Sequence, residues 1–175
     1  TAGVTTENRY DLRDKLVEVV QGTSTLGRFQ YDFEGRRIKK IGDEGLRQYV
    51  YGPGVFKLDW ALDGPIPWRD PRCLDASTVH VGGTFDEVVA AERAVHGGQM
   101  PAAPFVLVGQ QYLADPSRSA GDVHPLWTYA HVPHGYTGDA TEAIISQIER
   151  FAPGFRDRVA GMAVRPTTKT STYNA

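Results

Sequence analysis

The sequence has 175 residues, of which 41% are hydrophobic and 23% are charged, as in soluble globular chains of one domain or two small ones. Its 19 basic and 21 acidic side chains give a formal net charge of -2, and because no long basic run is present, we expect no nucleic-acid partner. The single Cys73 excludes an intrachain disulfide and a cysteine-based zinc site. No run approaches the roughly 18 to 20 apolar residues of a membrane helix, so we expect no transmembrane segment.

The composition changes near Tyr51. All 11 prolines and all 5 histidines follow this residue. The first 51 residues carry nine basic and eight acidic side chains, a formal charge of +1, whereas the remainder carries ten and thirteen, a formal charge of -3. We therefore predict two domains, 1–51 and 52–175.

Residues 1–51 have a repeating pattern. Tyr10-Asp11 and Tyr31-Asp32 lie 21 residues apart, and between them run short segments in which apolar and charged residues alternate. Such alternation, broken by glycine-bearing turns, is typical of antiparallel hairpins. The pattern predicts strands over 16–20, 28–31, 36–41 and 46–51.

The segment Tyr31-Asp32-Phe33-Glu34-Gly35-Arg36-Arg37 resembles the Tyr-Asp-x-x-Gly-Arg signature of RHS proteins, also called YD-repeat proteins. The resemblance covers about residues 8–51. It implies hairpins stacked in a long shell, which in that family often encapsulates a C-terminal toxin. Two units are fewer than the three or so that a repeat array needs to bury its own core, so we expect this part to be weakly stable by itself.

Residues 52–175 combine strand and helix signals. Thr84 and Glu87 form a capping box that predicts a helix closed by Gly97-Gly98. A second amphipathic helix begins at Asp139 and ends at Pro153-Gly154. Strand-like runs lie at 55–62, 78–81, 105–108 and 126–132. The whole chain is therefore predicted to be α+β, with N-terminal antiparallel β-hairpins followed by a mixed sheet with two or three amphipathic helices.

Four segments of this second part carry another resemblance: KLDWALDGPIPW at 57–68, TVHVGGT at 78–84, YAHVP at 129–133 and IERFAPGF at 148–155. In this order they are similar to the phytoene desaturase and carotenoid ketolase-like family of FAD-dependent NAD(P)/FAD oxidoreductases. The resemblance covers about 52–175. It implies an FAD-binding Rossmann domain with an inserted substrate domain, of which these residues form a part, and flavin-dependent oxidation of a hydrophobic small molecule.

The flavin-binding motifs of that family are missing from this chain. It contains no Gly-x-Gly-x-x-Gly string, and Gly52-Pro53-Gly54 is followed by a predicted strand instead of a helix. The family's C-terminal flavin-closing segment would begin just after 172–174, and the chain starts with Thr1 instead of Met. We therefore interpret the chain as a fragment and expect it to bind no FAD and to be inactive alone.

An alternative from a different class is a non-enzymatic RHS-type shell fragment that carries a C-terminal effector or passenger domain. The two interpretations imply different locations: cytoplasmic for the oxidoreductase fragment, and secreted or cell-surface for the shell. In either case unpaired sheet edges are expected to allow self-association.

The candidate substrate-pocket residues are Trp60, Trp127, Tyr129 and His131. By resemblance they would lie near an apolar, polyene-like substrate. The competing interpretation is that aromatic side chains on alternating strands belong to the core, and His131 is then a packed histidine. No catalytic residue is assigned.

Three histidines, His124, His131 and His134, lie within one short stretch. Imidazole is the commonest metal ligand, but side chains three apart on a strand point to opposite faces, so we expect no metal site here.

The residue types of a nucleophilic triad also occur close together: Ser117, Ser119, Asp122 and His124. Because no Gly-x-Ser-x-Gly elbow holds them, we interpret this segment as a polar loop. Cys73 would gain thiolate character if Arg69 and Arg72 faced it, but one cysteine in a proline-rich loop is more often incidental.

Overall fold

The structure, a computed structural model, describes residues 5–32, 35–49 and 52–169. The chain divides into two compact units, Thr1–Tyr51 and Gly52–Ala175. This division falls at the residues where the composition changes. Each unit contains its own five-stranded sheet.

The first unit is an antiparallel meander, which confirms the predicted hairpins. Its strands follow one another in chain order: β1 Thr6–Tyr10, β2 Leu16–Gln21, β3 Ser24–Tyr31, β4 Arg37–Gly42 and β5 Gly45–Gln48. Strand β1 was not predicted, because TENRY has no alternation of apolar and polar residues. Parts of two sequence predictions, Phe33-Glu34 of the YD motif and 50–51 of the last strand, lie outside the described residues, as do 172–174.

The two Tyr-Asp segments form the same turn. The Asp11 carboxylate accepts the backbone N–H of Lys15 at 3.0 Å, and the Asp32 carboxylate accepts that of Arg36 at 2.9 Å. In the reverse direction, the backbone N–H of each aspartate donates to the carbonyl of the same partner, at 2.9 and 3.0 Å. The 21-residue period in the sequence is therefore a repeat of one hydrogen-bonded turn in the structure.

The third residue after each aspartate has a left-handed backbone, with φ of 56° at Asp14 and 79° at Gly35. Glycine adopts this conformation freely, aspartate tolerates it, and alanine is strained there. We expect Gly35→Ala to destabilise the first unit by about 1 kcal/mol. Gly35→Asp should cost less, since an aspartate holds the equivalent position of the first turn.

The measurement is amide hydrogen exchange of β3 and β4 in the two variants and the wild type. Equal protection in Gly35→Ala and wild type would contradict the assigned turn geometry.

The described residues of the first unit form a single layer that encloses no core. Gly27 is the one residue fully buried among those described in this unit. On one side of the sheet, Glu18 binds Arg9 at 2.8 Å and Arg28 at 2.9 Å, and the hydrogen bond from Arg28 is the main reason that the pKa of Glu18 is lowered. These are exposed ion pairs, which add little to stability.

The second unit is a sheet with helices, so the α+β prediction is confirmed. Its strands are β6 Gly54–Leu62, β7 Thr78–Val81, β8 Val106–Gly109, β9 His124–Val132 and β10 Val159–Arg165. Its helices are α1 Phe85–His96, α2 Gln111–Ala114 and α3 Thr141–Phe151, with 3-10 turns at Pro71–Leu74, Pro116–Arg118 and Arg156–Arg158. Strand β10 and helix α2 were not predicted.

The strand order is β10-β6-β9-β8-β7, and each neighbouring pair is antiparallel. The sequence predicted a mixed sheet. Strands that run in the same direction do occur in this sheet, but they are never hydrogen-bonded neighbours. The connection through α1 leaves and re-enters the sheet at one end, since Val81 pairs with Val106. Helix α3 joins β9 to β10, which run in the same direction but are separated by β6.

The helix termini follow the sequence signals closely. In the capping box of α1, Thr84 Oγ1 accepts the N–H of Glu87 at 3.3 Å, and the Glu87 carboxylate accepts the N–H of Thr84 at 2.7 Å. Helix α3 begins slightly later than predicted. Asp139 still accepts the N–H of Thr141 at 2.8 Å, and hydrogen bonding to Thr141 lowers the pKa of Asp139.

The core lies between one face of the sheet and α3. Alternate residues of β6 and β9 point into it, as a two-residue side-chain period requires. Its members include Phe56, Leu58, Trp60, Leu62, Leu126, Ala130, Val132, Ile144, Ile145, Ile148 and Phe155. Helix α1 is also partly buried through Ala91 and Val95, but these two side chains are outside this cluster.

Candidate functional site

The opposite face of the second sheet carries a row of aromatic side chains on β9. Trp127, Tyr129 and His131 alternate with buried residues, so they point away from the core, and each is half-buried. The Trp127 and Tyr129 rings are nearly parallel, at 6° with centroids 6.0 Å apart, and the Tyr129 and His131 centroids are also 6.0 Å apart. We name this side of the sheet the aromatic face.

A glycine on the neighbouring strand makes room for the largest ring. Gly109 pairs with Trp127, and a Cβ at Gly109 would lie 2.5 Å from Cε2 of the indole. No real side chain tolerates such a contact, so any larger residue would displace the ring. The indole therefore lies across Gly109 and forms part of a platform for stacking.

Helix α1 reaches one end of the aromatic face. The Nδ1 atom of His131 lies 3.0 Å and 2.9 Å from the two carboxylate oxygens of Glu92. The side chains of His131 and Glu92 are 31% and 29% exposed. The pair joins the helix to β9 and adds a polar group to an otherwise apolar row.

A second polar group borders the row on β6 and β10. Lys57 pairs with Tyr129 and Asp59 pairs with Trp127, so both side chains lie beside the aromatic rings. The Lys57 ammonium contacts the Asp59 carboxylate, and Arg165 Nε lies 3.4 Å from the same carboxylate. The aromatic face therefore has an apolar centre and a charged border.

The structure brings together three of the four predicted pocket residues. Trp60 is the exception, because it lies on the core face of β6 and is 4% exposed. Its Nε1 donates to Thr128 Oγ1 at 3.0 Å, and its ring meets Phe155 edge-on with centroids 5.3 Å apart. Trp60 is thus a core residue, separated by the sheet from Trp127, Tyr129 and His131.

The serine and histidine side chains considered for nucleophilic catalysis have separate partners. The Ser117 hydroxyl donates to Asp115 at 2.6 Å, whereas His124 Nδ1 lies 3.0 Å from the carbonyl of Asp122. Across the ranges 5–32, 35–49 and 52–169, no three His, Cys, Asp or Glu side chains lie close enough together to hold a metal ion.

The environment of Cys73 does not favour a thiolate. Burial raises the pKa of the thiol, Asp70 raises it further, and Arg72 opposes both only in part. A nucleophilic cysteine needs a lowered pKa, whereas the pKa of Cys73 is raised. Cys73 packs against the core instead.

Asp70 caps the 3-10 turn next to Cys73. It accepts the backbone N–H of Arg72 at 3.0 Å, and the Arg72 guanidinium donates to both carboxylate oxygens. The guanidinium bonds are the largest cause of a pKa lowered from 3.8 to about 2 for Asp70. Because the folded-state pKa is depressed, the stabilisation is present above about pH 3.8 and is lost as the pH falls towards 2.

We expect Arg72→Leu to raise the pKa of Asp70 part of the way to its ordinary value, since the backbone N–H of residue 72 still donates. An NMR titration of the Asp70 carboxyl carbon measures this pKa in the variant and in the wild type. An unchanged titration in Arg72→Leu would show that the guanidinium is not the cause.

The residues present do not fit a flavin pyrophosphate. Strand β7, Gly82-Gly83-Thr84 and α1 form a strand, glycine turn and helix, where a dinucleotide phosphate could be expected. The Glu87 carboxylate occupies the N-terminus of this helix, and Arg150 binds it at 2.5 Å. Hydrogen bonding from Thr84 lowers the pKa of Glu87, which keeps it negative and repels a phosphate.

Gly54, at the other glycine-rich segment, serves packing. A Cβ there would lie 2.8 Å from Thr167 Cγ2 and 2.9 Å from the carbonyl of Pro133. The chain itself fills the space that a bound phosphate would need.

Each unit also has a shallow depression among its described residues. One, of about 230 Å³, is in the first unit beside Lys40, Asp43 and Arg47. The other, of about 330 Å³, is in the second unit beside Pro67, Pro153 and Arg158. Neither is lined by the predicted substrate-pocket residues.

The chain matches no protein-family model, and it has no significant match among curated protein sequences. The helices of the described residues include none long and apolar enough to cross a membrane.

Proposed function

We propose that the second unit is the substrate-binding part of an FAD-dependent oxidoreductase of the phytoene desaturase type, acting on a hydrophobic small molecule. The observation that carries the proposal is that the two faces of the sheet differ in what they contact. The core occupies one face, and Trp127, Tyr129 and His131 form a partly buried row on the other. Aromatic rings in such a row suit a flat apolar ligand.

In this proposal the chain binds and orients the substrate. Trp127 and Tyr129 provide stacking surfaces, and the Glu92–His131 pair gives one end of the row a polar contact. The described residues of the chain are not expected to hold the flavin, because the Glu87 carboxylate occupies the N-terminus of α1. The purified chain is accordingly expected to lack the visible absorbance of a bound flavin and to have no redox turnover.

The proposal is tested with all-trans-retinol, an apolar polyene with its own fluorescence. We expect retinol to bind the purified chain, and Trp127→Ala and Tyr129→Ala to weaken binding about fivefold to tenfold each, as the loss of an aromatic contact predicts. Leu46→Ala in the first unit is the matched control, since Leu46 is an exposed hydrophobic residue outside this face. Retinol affinity that neither aromatic variant changes would overturn the proposal.

The alternative function, a non-enzymatic RHS-type shell fragment with an effector or passenger domain, is favoured by a different observation. The first unit repeats one aspartate-closed turn in a single-layer meander, and its edge strands β1 and β5 are exposed. Exposed edges would also allow self-association. Expression in a bacterial host distinguishes the alternatives, because an effector is expected to arrest growth and a substrate-binding domain is not.

The two proposals also differ in location. The oxidoreductase fragment would work in the cytoplasm, whereas a shell fragment would be secreted or held at the cell surface.

A further inference from the structure

The Glu92–His131 pair fixes the position of a proton on the imidazole ring. Both carboxylate oxygens of Glu92 lie within 3.0 Å of Nδ1. An ionised carboxylate only accepts hydrogen bonds, so Nδ1 must carry the proton. In the neutral ring, Nε2 is then left with a lone pair, and it acts as a hydrogen-bond acceptor.

The second imidazole nitrogen, Nε2, has no hydrogen-bond partner in the part of the chain that the structure describes. No described residue forms a hydrogen bond with His131 Nε2, although 31% of the side chain is exposed. The neighbours of the ring on the sheet are Val55, which pairs with His131, and Tyr129, whose ring centroid lies 6.0 Å away. Neither neighbour is charged, and the ammonium of Lys57, which pairs with Tyr129 on the same face, contacts the Asp59 carboxylate.

The apolar part of the row determines what kind of molecule brings a donor to this nitrogen. Trp127 and Tyr129 present nearly parallel rings next to His131 on the same strand. A flat conjugated molecule lying along β9 would contact both rings, and its end would reach the imidazole. A carboxylate at that end would face the negative charge of Glu92, whereas a hydroxyl would not be repelled.

We propose that His131 is a specificity-determining residue of the aromatic face, and that its Nε2 accepts a hydrogen bond from a hydroxyl group on a flat conjugated ligand. Glu92 acts as a positioning residue, since it holds the ring in the tautomer that leaves Nε2 free to accept. This inference rests on the proposed function, because it requires that the aromatic face binds a ligand.

The test compares two probes, 2-naphthol and 2-methoxynaphthalene, which differ only in whether the oxygen can donate. The quantity measured is the ratio of their affinities for the purified chain. We expect this ratio to fall about fivefold in His131→Phe, which keeps a flat ring but removes Nε2. Glu92→Leu should lower the ratio in the same direction, because the ring loses its fixed tautomer.

His124→Phe is the matched control. His124 also has Nδ1 on an oxygen, the carbonyl of Asp122 at 3.0 Å, but it belongs to a different contact, edge-on against Tyr112. The affinity ratio should not change in this variant. Nitrogen NMR of the histidine rings gives a second readout, and a proton on Nε2 of His131 in the neutral wild-type ring would overturn the inference without any ligand.

The outcomes separate the two proposals. If both probes bind and the ratio falls only in the His131 and Glu92 variants, the inference is supported. If both probes bind with a ratio that His131→Phe leaves unchanged, the hydroxyl specificity is wrong while the aromatic face remains a ligand surface. If neither probe binds, the inference and the proposed ligand surface both fail.

Discussion

Trp60→Ala is expected to lower the free energy of unfolding of the second unit by about 4 kcal/mol, because it removes a large buried ring and leaves a cavity. Trp60 is 4% exposed and packs edge-on against Phe155. The substitution also removes the hydrogen bond from the indole to Thr128, so a buried hydroxyl loses its donor. Trp60→Phe keeps most of the packing and should cost about 1 to 2 kcal/mol.

The matched control is Trp127→Ala, the same substitution on the other side of the sheet. Trp127 is only partly buried, so we expect a smaller loss of about 2 kcal/mol. Urea denaturation followed by tryptophan fluorescence measures all three variants, since the three tryptophans, Trp60, Trp68 and Trp127, belong to the second unit. Equal losses for Trp60→Ala and Trp127→Ala would contradict the assignment of the two faces.

Gln110→Leu is expected to destabilise the second unit by about 3 kcal/mol. Gln110 is fully buried, and its amide nitrogen donates to the carbonyls of Cys73 and Ala76, at 2.8 and 2.6 Å. Its amide oxygen accepts the indole N–H of Trp68 at 3.2 Å. A leucine of similar volume removes these three hydrogen bonds. The Cys73 carbonyl keeps the N–H of Ala76 at 3.4 Å, but the Ala76 carbonyl and the Trp68 indole lose their partner, which costs more than the hydrogen bonds themselves contribute.

The control is Gln111→Leu, the same change at the next residue. The side-chain oxygen of Gln111 has no hydrogen-bond partner among the described residues, so its removal breaks no bond to this atom, and we expect a change below about 0.5 kcal/mol. The same urea denaturation measures both variants. A Gln110→Leu protein as stable as Gln111→Leu would show that the buried amide does not hold the 71–76 segment.

The elements that the sequence predicted best are those with strong local signals. The capping box of Thr84 and Glu87 gave the first residue of α1 because its hydrogen bonds connect residues only three apart. The apolar alternation in β6 was equally informative, because the strand alternates between fully buried and half-buried positions along its whole length. Interactions over a few residues are encoded locally and survive in the folded chain.

The missed elements have weak local signals. Strand β1 is exposed at every position, and most of β10 is also exposed at the edge of its sheet. An edge strand that buries little needs no alternation of apolar and polar residues, so it leaves no periodic pattern to find. Helix α2 is a single turn whose formation depends on its surroundings more than on its four residues.

The candidate site was predicted only in part, because spacing along one strand is a local signal and pairing between strands is not. Trp127, Tyr129 and His131 are two residues apart on one predicted strand, so their common face followed from the sequence. The position of Trp60 did not, because it depends on the register in which β6 pairs with β9. Trp60 pairs with Leu126, a core residue, and a shift by one residue would have placed it beside Trp127.

The sequence by itself determined the two compositional parts, the repeated aspartate turn, most strands and the limits of α1. The tertiary structure alone decided which face of the second sheet holds the core, that Gly109 makes room for Trp127, and that Glu92 meets His131 across 39 residues of chain. The physical reason is that the first group depends on backbone and side-chain contacts within a few residues. The second depends on strand register and on a helix packing against a sheet, which form only when distant segments bury their apolar surfaces together.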